Sequence, residues 1–414
     1  MKKLGRLTFI RQLYRRLLEK DRTYAAFEKD DILPLLETNT EKNIVLDPMS
    51  GYGTLMNICA QKGLPSFSVE KNPPAYYWQY LNNPKNYFSF DLILNKLKEV
   101  KTFPNPRILA GSSKTFFPKE SKRLLPILFE EIISVVLRSG FSDNEAIDIS
   151  LSVLLPFVGR FSSFVQGNIV IELKSGGICV YKEWQEDFIS YLNFLQERLK
   201  QKYYSSRCKD HQIILGDSQI LDLKDKKFKF FITSPPYPNF KDYYKIFEPE
   251  NIFLRELIPE KYRQPFIKGE LIGSIKVKNR KTNNIVDLLS SSAKEFLQSM
   301  LMQKGTLKQI NDIRNYYYPY FLNYFIDLQK TYINISTWLD SNAVGYIIVV
   351  NNTSRKKIIP LSDFTQEVFN SLGFNTEIHS SKSTSHVGNL NPKITGISAI
   401  HQKFTIRISR NDKK

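Results

Sequence analysis

The stretch KNIVLDPMSGYGTLMNICAQKGLPSFSVEKNP, residues 42–73, decides the fold of this chain. A buried apolar run from Ile44 stops at Asp47, and a turn carrying Gly51 and Gly53 follows. A helical pattern then covers about Thr54 to Lys62, and a second apolar run covers about Ser66 to Glu70. Strand, glycine turn, helix and strand in that order open a parallel α/β sheet.

Outward from this unit the sheet rhythm is suspended and then resumed. Residues 75–210 are mainly helical, with long periodic stretches at SKRLLPILFEEIISVVLRSG and EWQEDFISYLNFLQERLKQKYY, and GNIVIELKSGGICVYKEW reads as a hairpin turning at Ser175, Gly176 and Gly177. Two strands return at HQIILGDSQILDL and KKFKFFITSPPY, ending at Asp217 and Ser234. A polar insertion from about 250 to 315 contains the basic stretch KGELIGSIKVKNRKTNN. YYYPYFLNYFIDLQKTYINIS reads as a core helix and AVGYIIVV as a buried strand. IPLSDFTQEVFNSLGF is a helix with Ser362 or Asp363 as N-cap, and NTEIHSS and HQKFTIRIS are two closing strands. The chain therefore divides into an N-terminal helix with the first half of the sheet (1–74), a helical insertion (75–210), further sheet (211–250), a basic insertion (251–315) and the remainder of the sheet (316–414).

Lysine and arginine total 59 against 41 acidic residues, a net charge of +18, which favours a polyanionic partner through counterion release. The three cysteines, Cys59, Cys179 and Cys208, and the four histidines show no metal-ligand spacing, so disulfides and a structural metal are not expected. The opening MKKLGRLTFIRQLYRRLLEK is amphipathic, but its charges interrupt any signal-peptide core. No apolar run approaches the roughly 18 residues of a membrane span, and a cytoplasmic protein is expected.

In an open α/β sheet, ligands gather at the carboxyl ends of the strands, which directs attention to Asp47, Glu70 and Asp217. Gly51 and Gly53 let a ligand approach the backbone beside a helix N-terminus. Glu70 ends the next strand, where a carboxylate can accept both hydroxyls of a ribose. The glycines lack the GxGxxG spacing of a pyrophosphate site, which favours a nucleoside ligand over NAD. The stretch FITSPPYPNF, residues 231–240, supplies a second feature. Consecutive prolines push Ser234 and Pro235 out of the α region and stiffen the corner. The carbonyls of Ser234 and Pro235 and the Ser234 hydroxyl make an acceptor cluster, with the flat face of Tyr237 beside it. A nucleobase with an exocyclic amine fits such a corner.

The pair LDPMSGYGT and TSPPY resembles the S-adenosylmethionine-dependent amino-methyltransferases of DNA, and the Ser-Pro-Pro-Tyr form resembles their cytosine-N4 branch in restriction-modification systems. TSPPYPNFKDYYK and GGICVYKEWQEDF resemble a subset of these methylases, so the likeness covers residues 40–80 and 165–410. It implies a Rossmann-like class I methyltransferase sheet, mostly parallel with its final strand antiparallel. Asp47, Pro48, Met49, Gly51, Gly53 and Thr54 would surround the methionine end of the cofactor, with Glu70 on its ribose and Asp217 near its adenine. Ser234, Pro235, Pro236 and Tyr237 would receive a base flipped out of duplex DNA in a bacterial or archaeal cell, and a restriction endonuclease would be a partner. The chain departs from the family at Met49, where an aromatic is usual, and at Leu55, where a second threonine is usual.

Carbon-5 methylation would need a cysteine nucleophile, and none ends a strand at the site. Lys268, Lys276, Lys278, Arg280 and Lys281 form one candidate DNA-contacting patch, and Arg107, Lys114, Lys119, Lys122 and Arg123 form another. Two alternatives stay open: methylation of adenine N6 or of RNA, and a non-catalytic DNA-binding subunit that keeps the fold.

Overall fold

A computed structural model of the chain describes residues 28–86, 88–99, 117, 119–159, 164–166, 171–173, 184–238, 247–262, 271–273, 288–355, 357–384 and 401–410. Seven strands form its central sheet: β1 (Val45–Asp47), β2 (Ser66–Glu70), β3 (His211–Leu215), β4 (Phe228–Thr233), β5 (Leu339–Asn351), β6 (Phe374–Thr384) and β7 (His401–Arg410). Their spatial order is β6-β7-β5-β4-β1-β2-β3. The pairings from β5 through β4, β1 and β2 to β3 are parallel, and β7 runs antiparallel to both β5 and β6. The architecture is mixed α/β with a mostly parallel sheet, as the opening stretch predicts.

The apolar runs are continuous because both faces of the central strands are covered, the condition that parallel sheets impose. Successive residues alternate between two cores. Val45, Phe230, Ile232, Tyr346 and Ile348 meet α1 (Lys29–Glu37) and α2 (Thr54–Lys62) on one face. Leu46, Phe231, Ile347 and Val349 pack into the opposite core. Gly345 faces Phe231 across β4 and β5, where a Cβ would lie 2.0 Å from the ring, so the close strand pairing depends on its absence.

Five helices make a lobe beside the sheet: α3 (Pro73–Asn82), α4 (Asp91–Glu99), α5 (Lys119–Arg138), α6 (Asp143–Val158) and α7 (Trp184–Ser205). Ser142 caps α6 by accepting from the Glu145 amide while Glu145 accepts from the Ser142 amide, the reciprocal arrangement that fixes a helix start. Phe90, Phe129, Leu154, Phe157, Phe188 and Leu192 form the lobe's own core. Phe253 and Leu254 join it from beyond α8 (Glu248–Ile252), so the two insertions share packing across more than a hundred residues of sequence. After α9 (Ser291–Leu301) and α10 (Leu307–Asp312), α11 (Tyr318–Trp338) and α12 (Leu361–Ser371) close the second sheet face with α9.

The strand Ile171–Leu173 pairs antiparallel with the preceding Phe164–Gln166, and the expected hairpin turn at Ser175, Gly176 and Gly177 lies outside the described residues. Two local expectations are corrected. α12 starts at Leu361 after Pro360, which places Ser362 and Asp363 inside the first turn. The Ser362 amide instead donates to Asn351 Oδ1 at 2.9 Å, tying the helix start to the end of β5. β1 begins at Val45, and Ile44 is exposed. No helix among the described residues is long and apolar enough to cross a membrane.

Candidate active site

β1 and β4 are parallel neighbours, so their carboxyl ends emerge together. Thr233 Oγ1 donates to Asp47 Oδ1 at 2.9 Å and locks the two ends to each other. From Asp47 the chain enters the glycine turn. Gly51 and Gly53 have φ of +53° and +77°, a left-handed backbone that costs other residues steric energy. A Cβ at Gly53 would lie 2.8 Å from Gln79 Cγ, while one at Gly51 would meet nothing within 4 Å.

This turn is held by side chains from outside it. The amides of Gly51 and Asn72 each donate to one oxygen of Glu70, at 2.7 Å in both cases. Buried Gln79, on α3, donates to the Gly51 carbonyl at 2.6 Å and to Ser50 Oγ at 2.8 Å. The Lys71 amide also donates to this carboxylate, which offers about four acceptor positions in all.

After β4 the proline elbow follows. Pro235 and Tyr237 are buried, and Ser234 and Pro236 are half-buried. Tyr324, on α11, donates its hydroxyl to the Pro236 carbonyl at 2.9 Å and braces the elbow from behind. Ser234 Oγ is buried and makes no hydrogen bond among the described residues.

The two features share one cleft, with about 1170 Å³ of space between atoms, part of it open to solvent. Pro48, Met49, Gly51 and Thr54 line it from the turn, Glu70 and Asp217 from the ends of β2 and β3, and Ser234, Pro235, Pro236 and Tyr237 from the elbow. Asp47 and Gly53 lie behind the wall, not on it. Asp47 turns back under the loop to accept from the Met49 amide and from Thr233, and Gly53 is covered by Gln79. Leu55, the second family departure, is fully buried in the core against α1 and never reaches the cleft.

Two carboxylates in the turn are buried enough to titrate near neutrality. Burial pushes Asp47 up to about 7 despite hydrogen bonds from Thr233 and Met49. Burial likewise raises Glu70 to about 7, opposed by the amides of Asn72 and Gly51 and assisted by the nearby Asp47 charge. Lys71 lies 2.6 Å from Asp217 Oδ2 in a largely buried ion pair, and both residues line the cleft.

Sequence reading missed four residues: Gln79, Thr233, Lys71 and Tyr324. Lys71, next to Glu70, and Thr233, the last residue of β4, lay where a strand-end search could have found them. The patch of Lys268, Lys276, Lys278, Arg280 and Lys281 lies outside the described residues, as do Arg107 and Lys114. Lys122 and Arg123 are exposed on α5, which begins at Lys119. No group of histidine, cysteine or acidic side chains suited to a metal ion occurs among the described residues. No family model, curated protein or solved structure matches this chain.

Proposed function

We propose that the protein is a DNA methyltransferase that transfers the methyl group of S-adenosylmethionine to the exocyclic N4 of a cytosine flipped out of duplex DNA. The observation that carries the reading is the single cleft shared by the glycine turn, Glu70 and the Ser234 to Tyr237 elbow. A sheet that is mostly parallel with an antiparallel last strand supports it, as does the +18 charge.

The residues fit the cofactor. Open space above Gly51 admits a ligand against the backbone, and the acceptor capacity left on Glu70 suits a ribose. Asp217 would take the adenine amine, and Met49, flexible and polarizable, would pack along the methionine end. When bound, S-adenosylmethionine supplies a methyl group already activated on a sulfonium.

The chain's task is then positioning, which can contribute on the order of 7 to 11 kcal/mol. The amine of cytosine is a poor nucleophile because its lone pair is shared with the ring. Ser234 Oγ and the carbonyls of Ser234 and Pro235 would accept its N–H bonds and stabilise the positive charge that develops on nitrogen. The prolines keep those acceptors from relaxing. Flipping the base costs a few kcal/mol, offset by phosphate contacts to the basic surface. A restriction endonuclease would be the partner if the enzyme serves a restriction-modification system.

The test is incubation of duplex DNA with methyl-labelled cofactor, followed by digestion and identification of the nucleoside. N4-methylcytosine is the expected product. N6-methyladenine would replace cytosine by adenine as the target, label only on RNA would change the substrate, and no transfer despite tight DNA binding would favour a non-catalytic subunit.

A further inference from the structure

A cluster outside the cleft has chemistry that the proposed reaction does not absorb. β5 ends at Asn351, and Thr353–Ser354 pairs with Lys357–Ile358 just beyond. Arg355, in the connecting turn, holds a left-handed φ of +48°, rare for a residue with a side chain. Its guanidinium lies over the Tyr317 ring, 4.3 Å from the centroid, and 3.8 Å from Asp312. Its Nε is buried with no hydrogen-bond partner among the described residues. Strained backbone with an unsatisfied donor is a state that surrounding structure must maintain, and such states gather at binding sites.

The cluster is aligned with the elbow. Tyr317 ends a π-helical turn, Ile313–Tyr317, that leads directly into α11. Such turns are rare and recur at functional sites. Tyr317, Tyr320 and Tyr324 are spaced by three and then four residues, so they share one helix face. Tyr320 donates to the Gly273 carbonyl at 3.3 Å, beside the Tyr237 backbone, and Tyr324 donates to Pro236. Seven residues at 1.5 Å each put Tyr317 about 10 Å from Tyr324 along the axis. The position is also right topologically, because β5 lies next to β4 and both carboxyl ends face the same side.

We infer that Arg355, carried on Tyr317 and accompanied by exposed Arg314 in the turn that ends at that ring, grips a backbone phosphate of the duplex on the elbow's side of the sheet. A guanidinium stacked on an aromatic ring is held in one orientation and keeps the N–H groups turned away from Asp312 for a phosphate. The inference rests on the DNA-methyltransferase reading and adds the contact that would hold the strand beside the elbow.

The experiment measures binding of a short fluorescein-labelled duplex by anisotropy over a salt series, with S-adenosylmethionine affinity measured separately by calorimetry. Arg355→Gln is expected to weaken duplex binding about five- to tenfold and to reduce the salt slope by about one, with cofactor affinity unchanged. Arg314→Gln, on an exposed side chain, is expected to lower the same slope. Arg355→Lys should keep the slope and lose part of the affinity, since a lysine keeps the charge without the stacked fork. Unchanged affinity and slope in Arg355→Gln would overturn the inference alone. Equal losses in the Gln and Lys variants together with a lowered melting temperature would also overturn it, as a structural role. Tighter wild-type binding to an RNA duplex of the same sequence would overturn the DNA assignment. Wild-type protein that binds neither duplex nor cofactor would remove the methyltransferase reading itself.

Discussion

The two sides of the cleft are ordered by opposite means. The glycine turn after β1 uses residues of maximal backbone freedom, two of them at positive φ, and is fixed by side chains reaching in from β2 and α3. The elbow after β4 uses residues of minimal freedom and is braced by Tyr324. The comparison teaches where each should be vulnerable. Changes to the glycine side should act on ligand affinity through its supports, and changes to the proline side should act on the chemical step through the acceptors themselves.

The largest separation is expected from Ser234→Ala. Loss of one positioned group facing developing charge costs about 10² to 10³ in rate. Turnover in the labelled-DNA assay should fall by that factor while calorimetric affinity for S-adenosylmethionine stays within twofold. A matching loss of affinity would break the division between the two sides.

Glu70→Gln should give the mirror image. Hydrogen bonds to a charged group contribute about 1.5 to 3 kcal/mol, so cofactor affinity should fall roughly ten- to a hundredfold. The amide also turns one donor against a backbone N–H that Glu70 now satisfies. Rate at saturating cofactor should change far less.

The pH dependence sharpens the same contrast. Glu70 and Asp47 are both raised to about 7 by burial, so each holds its proton below that pH in the ligand-free protein. Ionised Glu70 is the better acceptor for hydroxyl groups, so the dissociation constant for the cationic cofactor should fall about tenfold as pH rises from 6 to 8. That dependence should largely vanish in Glu70→Gln. The stability sign is opposite. A carboxylate whose folded value exceeds its unfolded one contributes stability below the unfolded value, and that contribution is lost as pH rises through about 7. From these two groups, the ligand-free protein should melt lower at pH 8 than at pH 5.5.

Tyr324→Phe is expected to have the smallest effect. It deletes one hydrogen bond of about 1 kcal/mol while leaving the ring packed. Turnover should drop two- to fivefold with unchanged cofactor affinity, because the prolines still hold the elbow.

The parts of this arrangement legible in the sequence are the local ones. The unit of residues 42–73, the elbow and the long helix at 318–338 announce themselves by periodicity, glycine and proline, since short-range sterics fix them. Gln79 and Tyr324 could not be read. Gln79 reaches Gly51 across 28 residues and Tyr324 reaches Pro236 across 88, and no local pattern marks a side chain that matters only after the sheet has assembled. The partner of Asp47 could not be read either: its position at a strand end is local, but its carboxylate accepts from Thr233, 186 residues away. The joint core of the two insertions is equally invisible, since Phe253 and Phe129 carry no shared signal until packed.

The most direct test of the account is a crystal structure of the protein with S-adenosylhomocysteine. The account predicts both ribose hydroxyls within hydrogen-bond distance of the Glu70 carboxylate, the ligand backbone over Gly51, and the sulfur directed toward Ser234. A ligand seated away from Glu70, or one whose sulfur faces away from the elbow, would contradict it.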